Sequence, residues 1–238
     1  MCIVLESIIS GIQAEKRPSL LIAFGFVLSS LAMLLAMTVW SDQASMVFIF
    51  LTVMGSIPVM YNIIKLEEKK DIGDFHEVAL LKEHWKAILA FLALFLGIML
   101  AVVFWYVVTS TSTSSALFSS QITTVNAIQL KGRIAGAATG LAIGKMASFS
   151  TIFFNNIKVL MFCVLFSFAY GAGAIFILTW NASVVGVAIG YYIRNGLAEV
   201  AHLIGLNKVA EYLSTISYGL LRYVIHGVPE IAGYFVAA

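Results

Sequence analysis

The chain has 238 residues, of which 61% are hydrophobic and only 11% charged. A water-soluble domain carries roughly 25% charged residues, so this composition excludes a soluble globular protein and describes a helical integral membrane protein. A net charge of +2 without a dense basic stripe implies no nucleic-acid partner, and Cys2 and Cys163, one terminal and one inside an apolar run, suggest neither a disulfide framework nor a metal site.

A membrane crossing takes roughly 20 apolar residues. Three early runs meet that length, at about Ser19–Trp40, Ala44–Ile64 and Ala87–Val108. Lys16 and Arg17 precede the first run in a layout unlike a cleavable signal, so that span is expected to act as its own insertion signal. Pro58 predicts a kink in the second span that neighbouring helices must support. Lys65, Lys69, Lys70, Lys82 and Lys86 lie between spans two and three, whereas the loop between spans one and two offers only Asp42. The positive-inside rule therefore puts the N-terminus in the cytoplasm. Leu66–Trp85 reads as a cytoplasmic connector helix, with Val78, Leu80, Leu81 and Trp85 able to lie on the membrane surface. His84 and His202, without nearby ligand patterns, read as interfacial.

Span three exits into Thr109–Ser120, a Ser/Thr-rich stretch without charge that reads as a polar loop. In the segment that follows, Gly132, Gly136, Gly140 and Gly144 recur every four residues, and Ser148 continues the row. On a helix this spacing makes one bare stripe along which two backbones can approach closely. The stripe has three readings: packing within the monomer, a homo-oligomer interface, or a pore lining. If Ile134–Asn156 crosses the membrane, Lys158 and Arg194 both become cytoplasmic.

A fourth span is expected at about Val159–Trp180. Trp40, Trp105 and Trp180 all fall near span ends, as an interfacial aromatic belt requires. The next run, Ala182–Ile193, contains Gly186 and Gly190 and is too short for an ordinary crossing, so it reads as a half-helix or re-entrant segment. Asn181 lies where the two runs meet and suits a tight reversal. Asn181-Ala182-Ser183 has the glycosylation pattern, but its place between membrane runs argues against use. From Arg194 to Arg222 apolar residues return at helical spacing, with Glu199, Lys208 and Glu211 on polar positions, as in amphipathic surface helices. A last apolar run, Ile231–Ala238, reads as a final helix that continues past the sequence given.

Polar side chains near the membrane interior are costly and mark pivots or sites. Asn155 and Asn156 open the fourth span and can cap its amides or bond to another helix. Pro229 fits the first turn of a helix, and Glu230 beside it would be favoured in ionised form by the helix dipole. His226 can approach Glu230 across Gly227. The pair is open to two readings: the start of a helix with favourable charge placement, or a group that handles protons, ions or a metal.

Phe154-Asn155-Asn156 opening a span, Gly171-Ala172-Gly173 within it, Trp180-Asn181 with Gly186, and His226-Gly227-Val228-Pro229-Glu230 before another apolar run occur here in that order. This C-terminal part resembles the stage II sporulation protein M family of multi-span membrane proteins of bacteria and archaea, although Ile225 stands where the family commonly has proline. The resemblance implies a membrane scaffold; the sporulation member localises cell-wall-remodelling partners, and many relatives occur where no spore is made.

The expected fold is an all-α polytopic membrane bundle in a single domain (residues 1–238) of five or six hydrophobic segments, with a short broken helix and amphipathic surface helices. Its parts are three spans with a connector at 65–86 (1–108), a polar loop and glycine-row helix (109–156), and the family-like C-terminal part (157–238). No nucleotide-binding loop, HExxH helix or nucleophile elbow appears, and no cofactor or metal site is announced. The expected function is a non-enzymatic scaffold or complex subunit of the cell membrane. Its partners are the lipid bilayer, further copies of itself and other membrane proteins. The alternative is a channel or transporter with a polar site at His226 and Glu230.

Overall fold

A computed structural model describes residues 9–71, 77–138, 153–154, 157, 161, 172–200, 202 and 207–221. Among them the chain is helical throughout, with no strand. The helices are α1 (Gly11–Lys16), α2 (Pro18–Val39), a 3-10 turn at Ser41–Gln43, α3 (Ala44–Asp71), α4 (Glu77–Val108), α5 (Thr111–Leu117), α6 (Ser119–Ala138) and α7 (Ala172–Glu199), with a further helix over 207–221. Four stretches are long and apolar enough to cross a membrane: Pro18–Val39, Ser41–Lys69, His84–Val108 and Ile175–Glu199.

The first three agree with the spans read from sequence. Local chemistry explains their starts: Ser10 and Gln13 form a capping box on α1, and Pro18 occupies the first turn of α2, where its missing N–H costs nothing. α3 runs through Pro58 without ending. In place of a separate connector helix, α3 continues to Asp71 and α4 begins at Glu77.

The fourth differs. Residues 182–193 are the middle of one continuous helix, so the short broken or re-entrant element is corrected, and Trp180 and Asn181 sit inside α7 rather than at a junction between runs. Gly186 and Gly190 do not break α7, because they face α4. A Cβ on Gly186 would come within 2.8 Å of the Val102 Cβ and 3.0 Å of the Met99 carbonyl oxygen, and one on Gly190 within 2.8 Å of the Tyr106 Cβ. A helical glycine costs about 1 kcal/mol relative to alanine; here close backbone approach offsets it. Of the crossings expected at Ile134–Asn156 and Val159–Trp180, the described residues cover little more than the first five positions of one, in α6, and the last nine of the other, in α7; the final run from Ile231 lies outside them.

α4 is the axis of the bundle, with α2 on one side and α7 on the other, while α3 lies against both α2 and α7. The α2–α4 crossing is reciprocal. A Cβ on Gly25 would meet the Leu94 carbonyl oxygen at 2.8 Å, and one on Gly97 would overlap the Ile22 carbonyl. Ile98, Met99, Ala101 and Val102 are consequently sealed in the core, whereas Val27, Leu31, Phe50 and Met54 on the outer helices are exposed. Those outward apolar side chains suit a lipid-facing surface.

The Ser/Thr-rich stretch is not a loop. Ser110 caps α5, accepting from the Thr113 backbone N–H at 3.2 Å, and α6 follows almost at once. Phe118, fully buried between them, lies 5.8 Å from the Phe48 ring and 5.7 Å from the Tyr106 ring. This fixes α5 across the end of α4 and beside the start of α3. There the Ser45 hydroxyl donates to Gln121 Oε1 at 2.8 Å and accepts from the Ser120 N–H at 3.1 Å. At the opposite end of the bundle His84 Nδ1 pairs with Glu67 Oε2, tying α4 to α3.

Candidate functional site

Asn155, Asn156, Gly140, Gly144, Ser148, His226, Pro229 and Glu230 lie outside the described residues. Gly132 and Gly136 fall in the second half of α6, which lies against α7. Asn181 alone of the expected polar constellation has a described side chain. Its amide donates to the Ile177 carbonyl at 2.9 Å, one turn back on its own helix, so it neither makes a reversal nor reaches across to a partner.

The polar cluster that the structure does bring together was not singled out as a site in the sequence. Arg194 leaves α7 beside the C-terminal end of α4. Its Nη2 donates to the Thr109 carbonyl at 2.8 Å and to the Ser114 hydroxyl at 2.8 Å, and its guanidinium lies 4.6 Å from the centre of the Tyr106 ring. Thr109 and Ser114 hydroxyls are 2.8 Å apart, with Thr109 also donating to the Trp105 carbonyl at 2.7 Å. Three forces hold the arginine here. The carbonyls at a helix C-terminus carry partial negative charge and attract a cation by about 0.3–1 kcal/mol. A cation over an aromatic face adds about 0.5–2 kcal/mol, more as water is excluded. The hydroxyls supply neutral acceptors.

Over Gly186–Arg194, α7 thus follows Met99–Thr109 in the same direction. Arg194 therefore stands at the Thr109–Ser114 end, away from the His84–Glu67 pair and the lysines around it. α7 places Arg194 at the end opposite the lysines, while most of Ile134–Asn156, whose crossing would have made Arg194 cytoplasmic, lies outside the described residues. A sequence signal existed, since Arg194 closes an apolar run and Thr109–Ser114 is a charge-free hydroxyl cluster, but their pairing spans 85 positions in the first contact.

Elsewhere in the spans the polar groups are mostly turned inward on their own helices. Thr52 donates to Phe48 O and Ser56 to Thr52 O, each at 2.8 Å, and Ser183 donates to Trp180 O at 2.7 Å. Ser29 Oγ, Ser30 Oγ, Trp105 Nε1 and Thr179 Oγ1 are buried without a partner, spread over α2, α4 and α7. Among the described residues no three His, Cys, Asp or Glu side chains converge as metal ligands. No protein-family model, curated protein or solved structure matches the chain.

Proposed function

We propose that the chain is a non-catalytic subunit of the cell membrane, a multi-pass scaffold similar in role to the stage II sporulation protein M family. Its N-terminus lies in the cytoplasm, and it self-associates through the glycine row from Gly132 to Ser148. The observation that carries the reading is that, apart from Ser29, Ser30, Trp105 and Thr179, the buried polar side chains described within the spans are satisfied by protein partners. Asn181, Thr52 and Ser56 spend their hydrogen bonds on carbonyls of their own helices. A solute pathway needs such groups turned toward a common water-filled cavity.

Further support comes from the regular helix over Ser119–Ala138, in which Gly132 and Gly136 share a face. A row of small residues is a low-cost route to close helix–helix contact in lipid. The lysines of the α3–α4 end favour that end as the cytoplasmic one.

The test is ion and proton flux in proteoliposomes, run beside size measurement in detergent, for the parent chain, Glu230→Gln and Gly140→Leu. The scaffold reading expects no flux for any of the three and a smaller assembly for Gly140→Leu. Flux in the parent that both substitutions abolish, with folding intact, overturns it in favour of a channel or transporter beside Glu230.

A further inference from the structure

An arginine guanidinium carries five N–H donors in a rigid fork, and the contacts around Arg194 use only those on Nη2. Its Nε and Nη1 donors have no acceptor among the described residues, and neither atom is among the buried polar atoms left without a partner. Arg194 is half-buried, so this edge of the guanidinium is partly accessible. No carboxylate among the described residues pairs with Arg194 either, so its charge is uncompensated there.

The surroundings fix where that open edge lies. Arg194 binds the carbonyl of Thr109, the residue that follows the His84–Val108 span, so the fork sits at the depth where apolar helix gives way to the membrane surface. The Tyr106 ring under the guanidinium and the Ser114 hydroxyl against Nη2 hold its plane. Beside it, Ser110 and Ser112 are exposed, with their hydroxyls 3.0 Å apart. A flat, oriented fork with one nitrogen tied down and neutral hydroxyls nearby matches the paired oxygens of a phosphate group.

We infer that the outer edge of Arg194 binds a phosphate monoanion, which at this depth is the phosphodiester of an anionic phospholipid headgroup. Tyr106 and Ser114 are positioning residues that orient the fork. Anionic headgroups at a membrane surface already attract basic side chains; the geometry here adds a specific bidentate contact.

The test is native mass spectrometry of the full chain, with phosphatidylglycerol or phosphatidylcholine supplied and inorganic phosphate as a soluble competitor. Both lipids carry the phosphodiester, but the quaternary ammonium of phosphatidylcholine neutralises it and would sit beside the guanidinium, so the parent is expected to retain phosphatidylglycerol in preference to phosphatidylcholine. Arg194→Gln is expected to weaken that retention about tenfold, the ratio equivalent to ~1.4 kcal/mol. Arg194→Lys keeps the charge but loses the fork, and should fall between. Its intermediate value separates a lost ligand contact from a misfolded bundle, which would drop both lipids together. Phosphate binding that depends on Arg194 without any preference for phosphatidylglycerol reassigns the fork to a soluble phosphate and overturns the lipid assignment. Equal phosphatidylglycerol retention by the parent and both variants overturns the site altogether.

Discussion

Replacing Gly97 by alanine probes the tightest contact in the bundle. The new Cβ would collide with the Ile22 carbonyl, and its next neighbours, 2.9 Å and 3.0 Å away, are also Ile22 backbone atoms. Backbone cannot rotate aside, and nonbonded atoms rest about 3.5 Å apart, so α2 and α4 must separate by roughly 1 Å, enough to forfeit a quarter to a half of each contact across the gap. Overpacking of this kind costs about 1–3 kcal/mol, and the better helix propensity of alanine returns about 1 kcal/mol. With only backbone to yield, the upper part of that range applies, for a net loss of about 2 kcal/mol. Gly55→Ala is the matched control. There the atoms in the way are the Cδ1 and Cδ2 ends and the Cγ of Leu28, a side chain that can turn. That variant should stay within about 0.5 kcal/mol of the parent. Unfolding of both in mixed micelles, followed by circular dichroism against denaturing detergent, gives the comparison. If Gly97→Ala unfolds at the same detergent fraction as Gly55→Ala, the backbone-to-backbone crossing is wrong.

Gln121→Leu removes the acceptor of the buried Ser45 hydroxyl and should cost about 1–2 kcal/mol, while Ser45→Ala should cost more because it orphans both the Ser120 N–H and Gln121 Oε1. Non-additivity of the two in a double-mutant cycle is the check. Thr179→Val removes a buried hydroxyl that has no partner and keeps the shape, so it should stabilise by about 1 kcal/mol; a lower melting temperature counts against the packing of α7. In a background with Cys2 and Cys163 changed to serine, an impermeant maleimide should label Ser112→Cys on intact cells and reach Lys69→Cys only after permeabilisation. Both positions are exposed at opposite ends of the bundle, so the reverse pattern inverts the orientation.

How much the sequence reveals depends on whether a feature is local. Spans one to three are long apolar runs bounded by charge, and such a run must cross on its own account whatever its neighbours do. α7 was misread because Gly186 and Gly190 look like breakers until the α4 face that fills their missing side chains is known. The Thr109–Ser120 stretch passes for a loop because hydroxyls compete for backbone groups. Here they satisfy that tendency within helices, as Thr109 does with Trp105 and Ser114 with Ser110. The Arg194 cluster was legible only as separate ingredients, since its three elements meet through the return of the chain between Val108 and Ala172.

That return has a consequence for how the protein is made. Met99, Val102 and Tyr106 must leave the ribosome long before the glycines that cover them, because α7 is synthesised after α5, α6 and everything between. For that interval α4 offers lipid a face whose partner does not yet exist, while its other face is already closed by α2 at Gly25 and Gly97. The order of synthesis thus lets α2, α3 and α4 pack as a unit before α7 is available to dock on the face of α4 that they leave open. The Arg194 contacts with Thr109 and Ser114 lie at the far end of that groove.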